Sequence, residues 1–227
     1  MVDILAFGAH PDDVEFACGA LLAKMAALGK SVAIVDLTLG DKGTNGSIEI
    51  RRKEGENAAA LIGATREFLG FRDCEIIDTF AAREELVRVI RRYRPRLVIA
   101  PPWEGEQNHP DHVATGRLVR IACRFSAFKN IVSDVAVHKV EGVLHYPGPV
   151  MQKLDFLFDV TPHVEIWKKM MNCHESQMKT FDYVAWNLKR AANLGVMMQV
   201  EYAQCLSAAN PVIVEDVMHI AKVAKEL

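Results

Sequence analysis

No run in this 227-residue chain approaches the roughly 20 consecutive apolar residues that cross a bilayer, so a membrane role is not expected. Cysteine is sparse. The five residues Cys18, Cys74, Cys123, Cys173 and Cys205 are odd in number and never form a Cys-x-x-Cys pair, which argues against a disulfide framework and against a thiolate zinc site. The chain does not open on a basic segment followed by an apolar core and a cleavage site, and with its cysteine usage this points to a reducing cytoplasm. Neither Gly-x-Gly-x-x-Gly nor Gly-x-x-x-x-Gly-Lys-Ser/Thr occurs, which removes the best support for dinucleotide or P-loop nucleotide binding. Neither sign of charge predominates: 27 Lys and Arg stand against 29 Asp and Glu, a formal net charge of -2. The richest basic run, Arg88 to Arg96, reads as a solvated helix face, so nucleic acid is not an expected partner.

What is present suits one globular enzyme domain spanning 1–227. Half the residues are hydrophobic and a quarter are charged, too apolar a mixture for a disordered chain. An apolar run from Asp3 to Ala9 has strand length, and Ala17, Leu21, Leu22, Met25 and Leu28 then recur at helical spacing until Gly29. Ser31 to Leu39 is rich in β-branched residues and mostly apolar, as in a strand buried on both faces of a parallel sheet. A glycine-rich loop follows (40–46), then a helix over Ser47 to Ile62, a short strand over Glu67 to Phe71, a helix over Glu84 to Tyr93 and a core strand over Leu97 to Ala100. The next helix is expected after His112, to about Phe128. Strands at Val140 to Tyr146 and Asp155 to Val160 precede helices at Pro162 to Gln177 and Asp182 to Met198 and a short terminal helix. This alternation predicts an α/β fold, Rossmann-like and doubly wound, with a mostly parallel sheet, helices on both faces and C-terminal strand and helix additions.

Two polar clusters each follow an apolar run. The first is Ala9-His10-Pro11-Asp12-Asp13-Val14-Glu15 and the second His109-Pro110-Asp111-His112. Ligands in open α/β sheets bind beyond the carboxyl ends of the strands, where both clusters fall. His10, Asp13 and His112 would offer a divalent ion two nitrogens and an oxygen, with a coordination position left open. Asp12 is then placed to act as general base, His109 to stabilise a tetrahedral oxyanion or protonate a leaving amine, and Asp111 to hold a histidine tautomer. Simpler readings compete with these. Asp12 or Asp13 behind Pro11 could serve only as a helix cap, and His109 and His112 could be an idle loop pair. Two histidines and a carboxylate also describe the ligand set of a non-haem iron oxygenase, and a non-catalytic sugar-binding protein could keep the same fold. His138, His163, His174 and His219 carry no partner pattern and read as structural, and Met170-Met171 and Met197-Met198 read as core packing.

The two signatures resemble those of the LmbE-like family of zinc-dependent N-acetylglucosaminyl deacetylases, which includes the PIG-L and mycothiol-pathway enzymes. The likeness runs nearly end to end and looks closest to the bacillithiol-biosynthesis branch: residues 3–15, 34–40 and 43–51, His145-Tyr146, Ser176-Gln177 and Val200-Glu201-Tyr202-Ala203 match its landmarks. Asn108 and Gln204 depart from it, standing where relatives often carry arginine and glutamate. The resemblance implies zinc on His10, Asp13 and His112, with ferrous iron able to fill the same set. It also implies Asp12 as base, His109 as stabiliser of the intermediate, substrate contacts from Arg51 and His145, and a homo-oligomer, a hexamer among the forms. Without the family, Arg51 reads as a helix-surface charge. The implied substrate is a small sugar conjugate, N-acetylglucosaminyl malate first, with diacetylchitobiose as the alternative.

Overall fold

The computed structural model describes residues 1–105, 108–149, 153–216 and 218. Among the described residues, seven strands form one sheet in the order β3-β2-β1-β4-β5-β7-β6. The central strand β1 (Ile4–Gly8) pairs in parallel with β2 (Val32–Thr38) on one side and β4 (Leu97–Ala100) on the other. Beyond β2 lies β3 (Thr65–Phe71), and beyond β4 lies β5 (Gly142–His145), both parallel. The chain therefore winds outward from β1 in both directions, and the strand order reverses at the β1/β4 junction, which is where such sheets open a crevice for ligands.

Alternation along β1 explains the two-sided core. Leu5 and Phe7 pack with Leu86, Val87 and Ile90 of α3 (Phe80–Tyr93) and Leu118, Val119 and Ala122 of α4 (Pro110–Phe125). Ile4 and Ala6 face Leu21 and Leu22 of α1 (Asp13–Ala27) and Trp167 and Met171 of α5 (Val164–Asn172). Met170 and Met171 are fully buried, as expected of core methionines, whereas Met197 is exposed. The expected doubly wound α/β sheet is the one observed.

The structure departs from the expected elements in definite places. α3 begins at Phe80, four residues before the expected Glu84, because Thr79 caps it by accepting from the Ala82 N–H. α4 begins at Pro110, so His112 lies inside its first turn and not ahead of it. The single helix expected over Pro162 to Gln177 is a 3-10 turn at Thr161–His163, then α5, then the short α6 (Glu175–Met178), broken around Cys173 and His174. The helix expected from Asp182 is α7 (Tyr183–Met198), with Asp182 as its cap. A strand absent from the sequence reading, β7 (Ala203–Ala208), runs antiparallel between β5 and β6 (Phe156–Asp159). Its Gln204 and Ser207 hide the apolar pattern that marks a central strand. Arg91 also corrects the solvated-face reading of the basic run: it is 2 % exposed and its guanidinium donates to the carbonyls of Phe125, Ser126, Phe128, Val132 and Val135. The expected terminal helix and His219 lie outside the described residues.

Candidate active site

The chain leaving β1 turns sharply at Ala9 and His10, and Asp13 closes that turn: its Oδ2 accepts from the backbone N–H groups of Ala9 and His10, both at 2.9 Å. Asp13 Oδ1 then faces Nε2 of His112 at 3.0 Å, brought in by the first turn of α4. His10 lies between carboxylates, its Nδ1 3.5 Å from Asp13 Oδ2 and its Nε2 3.0 Å from Asp73 Oδ1 and 3.4 Å from Asp111 Oδ2. One ligand atom each from His10, Asp13 and His112 falls within 4.8 Å of the others. The three sequence-predicted ligands, separated by about a hundred residues, thus converge.

The electrostatics of this cluster favour a bound positive charge. Burial works against protonation of His10, but hydrogen bonds to Asp111, Asp13 and Asp73 outweigh it and push the pKa up to about 12. Burial also opposes charge on His112 and is outweighed by Asp13, while His112 and His10 together hold the Asp13 carboxyl well below the carboxylate range. The same surplus of negative charge suits a divalent cation, and imidazole with carboxylate suits one of borderline softness. Because Asp73 engages Nε2 of His10, Nδ1 is the nitrogen left for a metal.

Around this set the remaining residues take distinct places. His109 caps α4, with its Nδ1 accepting from the Asp111 N–H at 3.2 Å. The neutral ring therefore carries its proton on Nε2, and burial, with His10 and His112 nearby, lowers its pKa and keeps it neutral. Asp111 Oδ2 stands 3.4 Å from Nε2 of His10, within reach of the tautomer-holding role proposed for it, and Asp111 also ties α4 to the loop after β3 by accepting from the N–H groups of Cys74 at 2.7 Å and Ile76 at 3.4 Å. Asp12 occupies the N-cap position of α1 but its side chain makes no capping bond, so capping does not account for it. It pairs instead with Arg51, whose Nη2 is 3.2 Å from Asp12 Oδ2.

Arg51 is 3 % exposed, which overturns the helix-surface reading. His145 is completely buried at the end of β5; its Nδ1 sits 2.6 Å from the Pro101 carbonyl and its ring 4.3 Å from that of Trp103, apart from the metal-ligand cluster. Burial pushes its pKa down to about 4. His138 pairs with the Pro95 carbonyl and His174 is buried beside Glu15, both away from the cluster. Asp73 is a member of the site that the sequence reading missed. Its signal was a carboxylate just past the carboxyl end of a parallel strand, the rule that located the other two clusters, here masked by the neighbouring Arg72 and Glu75.

With this geometry in place, comparison with known proteins is direct. The family model described as PIG-L, GlcNAc-PI de-N-acetylase, matches residues 5–123, which contain both signatures and every residue of the cluster. The diacetylchitobiose deacetylase of Thermococcus kodakarensis is 29% identical over 197 residues, 81% of this chain and 73% of the relative. The crystal structure of a conserved protein from Thermus thermophilus superposes with a TM-score of 0.89 at 32% identity, covering 94% of this chain and 97% of that one. The N,N'-diacetylchitobiose deacetylase from Pyrococcus horikoshii, solved with an inhibitor, gives a TM-score of 0.82 at 27% identity over 90% of this chain and 82% of its own. The chain belongs to the PIG-L family of LmbE-like deacetylases.

Proposed function

We propose that this protein is a zinc-dependent hydrolase that removes acetate from an N-acetylglucosamine conjugate and leaves a free amine. The observation that carries the reading is the convergence of His10, Asp13 and His112 with Asp12 next to Asp13 in the chain and the His109 ring 5.0 Å from that of His10 and 5.4 Å from that of His112, since metal binding alone has no use for a neighbouring base. The donor set fits zinc, and ferrous iron fits it too. When bound, such an ion polarises the amide carbonyl and lowers the pKa of water to about 7. Asp12 takes the proton of the attacking water and passes it to the departing nitrogen. His109 donates from Nε2 to the carbonyl oxygen as negative charge develops there, a contact that strengthens only in the transition state. Asp111 and Asp73 keep His10 in one tautomer throughout.

Two conjugates follow from the resemblances. The bacillithiol-branch likeness supports N-acetylglucosaminyl malate, and the names of the archaeal relatives support diacetylchitobiose. The position of Arg51 favours the second. Its guanidinium already bonds Asp12 and the Gly40 carbonyl, so an acidic aglycone would have to compete for it. The resemblance implies substrate contacts from Arg51 and His145, but Arg51 is engaged by Asp12 and the Gly40 carbonyl and His145 is completely buried against the Pro101 carbonyl, so this proposal assigns neither a direct contact with the sugar. We place the enzyme in the cytoplasm as a homo-oligomer acting on a small molecule.

The test is acetate release by the purified protein of known metal content from N-acetylglucosaminyl malate, N-acetylglucosamine and diacetylchitobiose. Release from diacetylchitobiose ahead of the malate conjugate supports the neutral-aglycone reading, and the reverse order restores the bacillithiol one. No release from any of them, with oxygen consumed in the presence of a 2-oxoacid, would replace the hydrolase by an iron oxygenase.

A further inference from the structure

We infer that Arg51 is a positioning residue for Asp12 and that the glycine-rich loop 40–46 is shaped to seat its guanidinium. The inference rests on the reading of Asp12 as the general base. Arg51 rises from the first turn of α2 (Ile48–Ala60), itself capped by Ser47, and reaches back to the Gly40 carbonyl (Nη1, 3.2 Å) and to Asp12 Oδ2 (Nη2, 3.2 Å). It does so in space that side chains would otherwise occupy. Gly40 has φ +65°, and a Cβ there would come within 1.6 Å of Nη1; a Cβ on Gly43 would stand 3.0 Å from the same atom. Gly46, with φ +82°, passes close to the Arg51 stem and to Ser176.

The far side of the loop is clamped. Ser176 donates from both its N–H and its hydroxyl to the Glu54 carboxylate, each at 2.7 Å, and Gln177 Nε2 donates to the Asn45 carbonyl at 2.9 Å. The guanidinium is therefore fixed before any substrate arrives. A carboxylate pivots about its Cβ–Cγ bond, so pinning Oδ2 also sets Oδ1, which no protein donor reaches among the described residues. Oδ1 is the atom left to take a proton. Fixing it in advance removes an orientational cost from the reaction step, and the planar two-pronged guanidinium does this where a lysine ammonium would not.

The experiment uses the metal-loaded enzyme and the variants Arg51→Lys, Arg51→Met and Gly40→Ala, each made in the wild-type and in the Asp12→Asn background, with metal content measured throughout. In the wild-type background kcat should fall on the order of 10²-fold with KM little changed, equally for neutral and acidic aglycones. Gly40→Ala should reproduce that loss with the charge intact, which keeps the test valid should the Arg51 variants fold poorly. In the Asp12→Asn background Arg51→Met should leave both the residual rate and the calorimetric affinity for uncleaved substrate unchanged. A rise in KM confined to the malate conjugate, or weaker binding in the Asp12→Asn background, would make Arg51 a substrate contact and overturn the inference. An active wild type with an unimpaired Arg51→Met overturns the inference alone, whereas a metal-loaded wild type that releases no acetate overturns the deacetylase reading and the inference with it.

Discussion

Asp73, two residues beyond β3, accepts a hydrogen bond from Nε2–H of His10 at 3.0 Å, so the chain leaving a strand on one side of β1 orients the imidazole of a proposed metal ligand that follows β1 itself. The His10 ring beside it draws the Asp73 carboxyl well below its usual range, so the proton resides on the imidazole. Removing a hydrogen-bond partner of this kind typically costs about 10–100-fold in metal affinity. Asp73→Ala should therefore lower zinc affinity by about that factor in chelator competition, with activity restored by excess metal. Affinity equal to wild type would show that Asp111 alone orients His10.

His112 and Asp12 should separate metal binding from proton transfer. His112→Ala removes a nitrogen facing Asp13 and should lose both bound metal and turnover. Asp12→Ala should retain metal while kcat falls by about 10²–10⁴-fold, the usual contribution of a positioned base. Metal analysis alongside acetate release distinguishes them, and a fully active Asp12→Ala protein would remove Asp12 from the chemistry.

Glu15 makes stability depend on acid. Burial opposes its ionisation, but Arg66 and His174 outweigh burial and bring its pKa from 4.5 down to about 2. A depressed folded-state pKa contributes stability that is present above about 4.5 and lost as pH falls toward about 2, on the order of 3 kcal/mol in all. Glu15→Gln should be less stable than wild type at pH 6, with the gap narrowing below about pH 4.5 and closing only as the pH approaches about 2. Parallel curves of urea midpoint against pH for the two proteins would contradict this.

Gln204 should matter for stability and not for catalysis. α1 breaks helical geometry at Cys18 (φ −142°, ψ 16°), and Gln204 Oε1 on β7 accepts the Leu21 N–H just beyond the break at 2.8 Å. Gln204→Ala leaves that buried donor unpaired and should destabilise the fold by about 1–3 kcal/mol with kcat/KM unchanged. A change in kcat/KM without a loss of stability would instead place Gln204 near the substrate.

Much of this was legible in the chain. The β-branched runs and helical periods of residues 3–39 and 97–125 are local signals, and they carried the α/β class, the parallel core and the two histidine-acid clusters at strand ends. Spacing alone could nominate His10, Asp13 and His112, because metal ligation demands particular atom types and those types stood together at predicted strand ends. Other features depend on where distant segments meet, which no local pattern encodes. β7 carries Gln204 and Ser207 because a helix kink and a neighbouring strand need their polar atoms, so it never looked like a core strand. Arg91 resembles its exposed neighbours until five carbonyls from 125–135 close around it. Asp73 is one acidic residue among several until β3 sets it against His10, and Arg51 is a helix charge until Gly40 leaves room for it to reach Asp12. Fold class and the chemical types of the site were therefore written in local pattern, whereas the side chains that orient those types emerged only when the chain had folded, because orientation is a property of contacts between residues far apart in the chain.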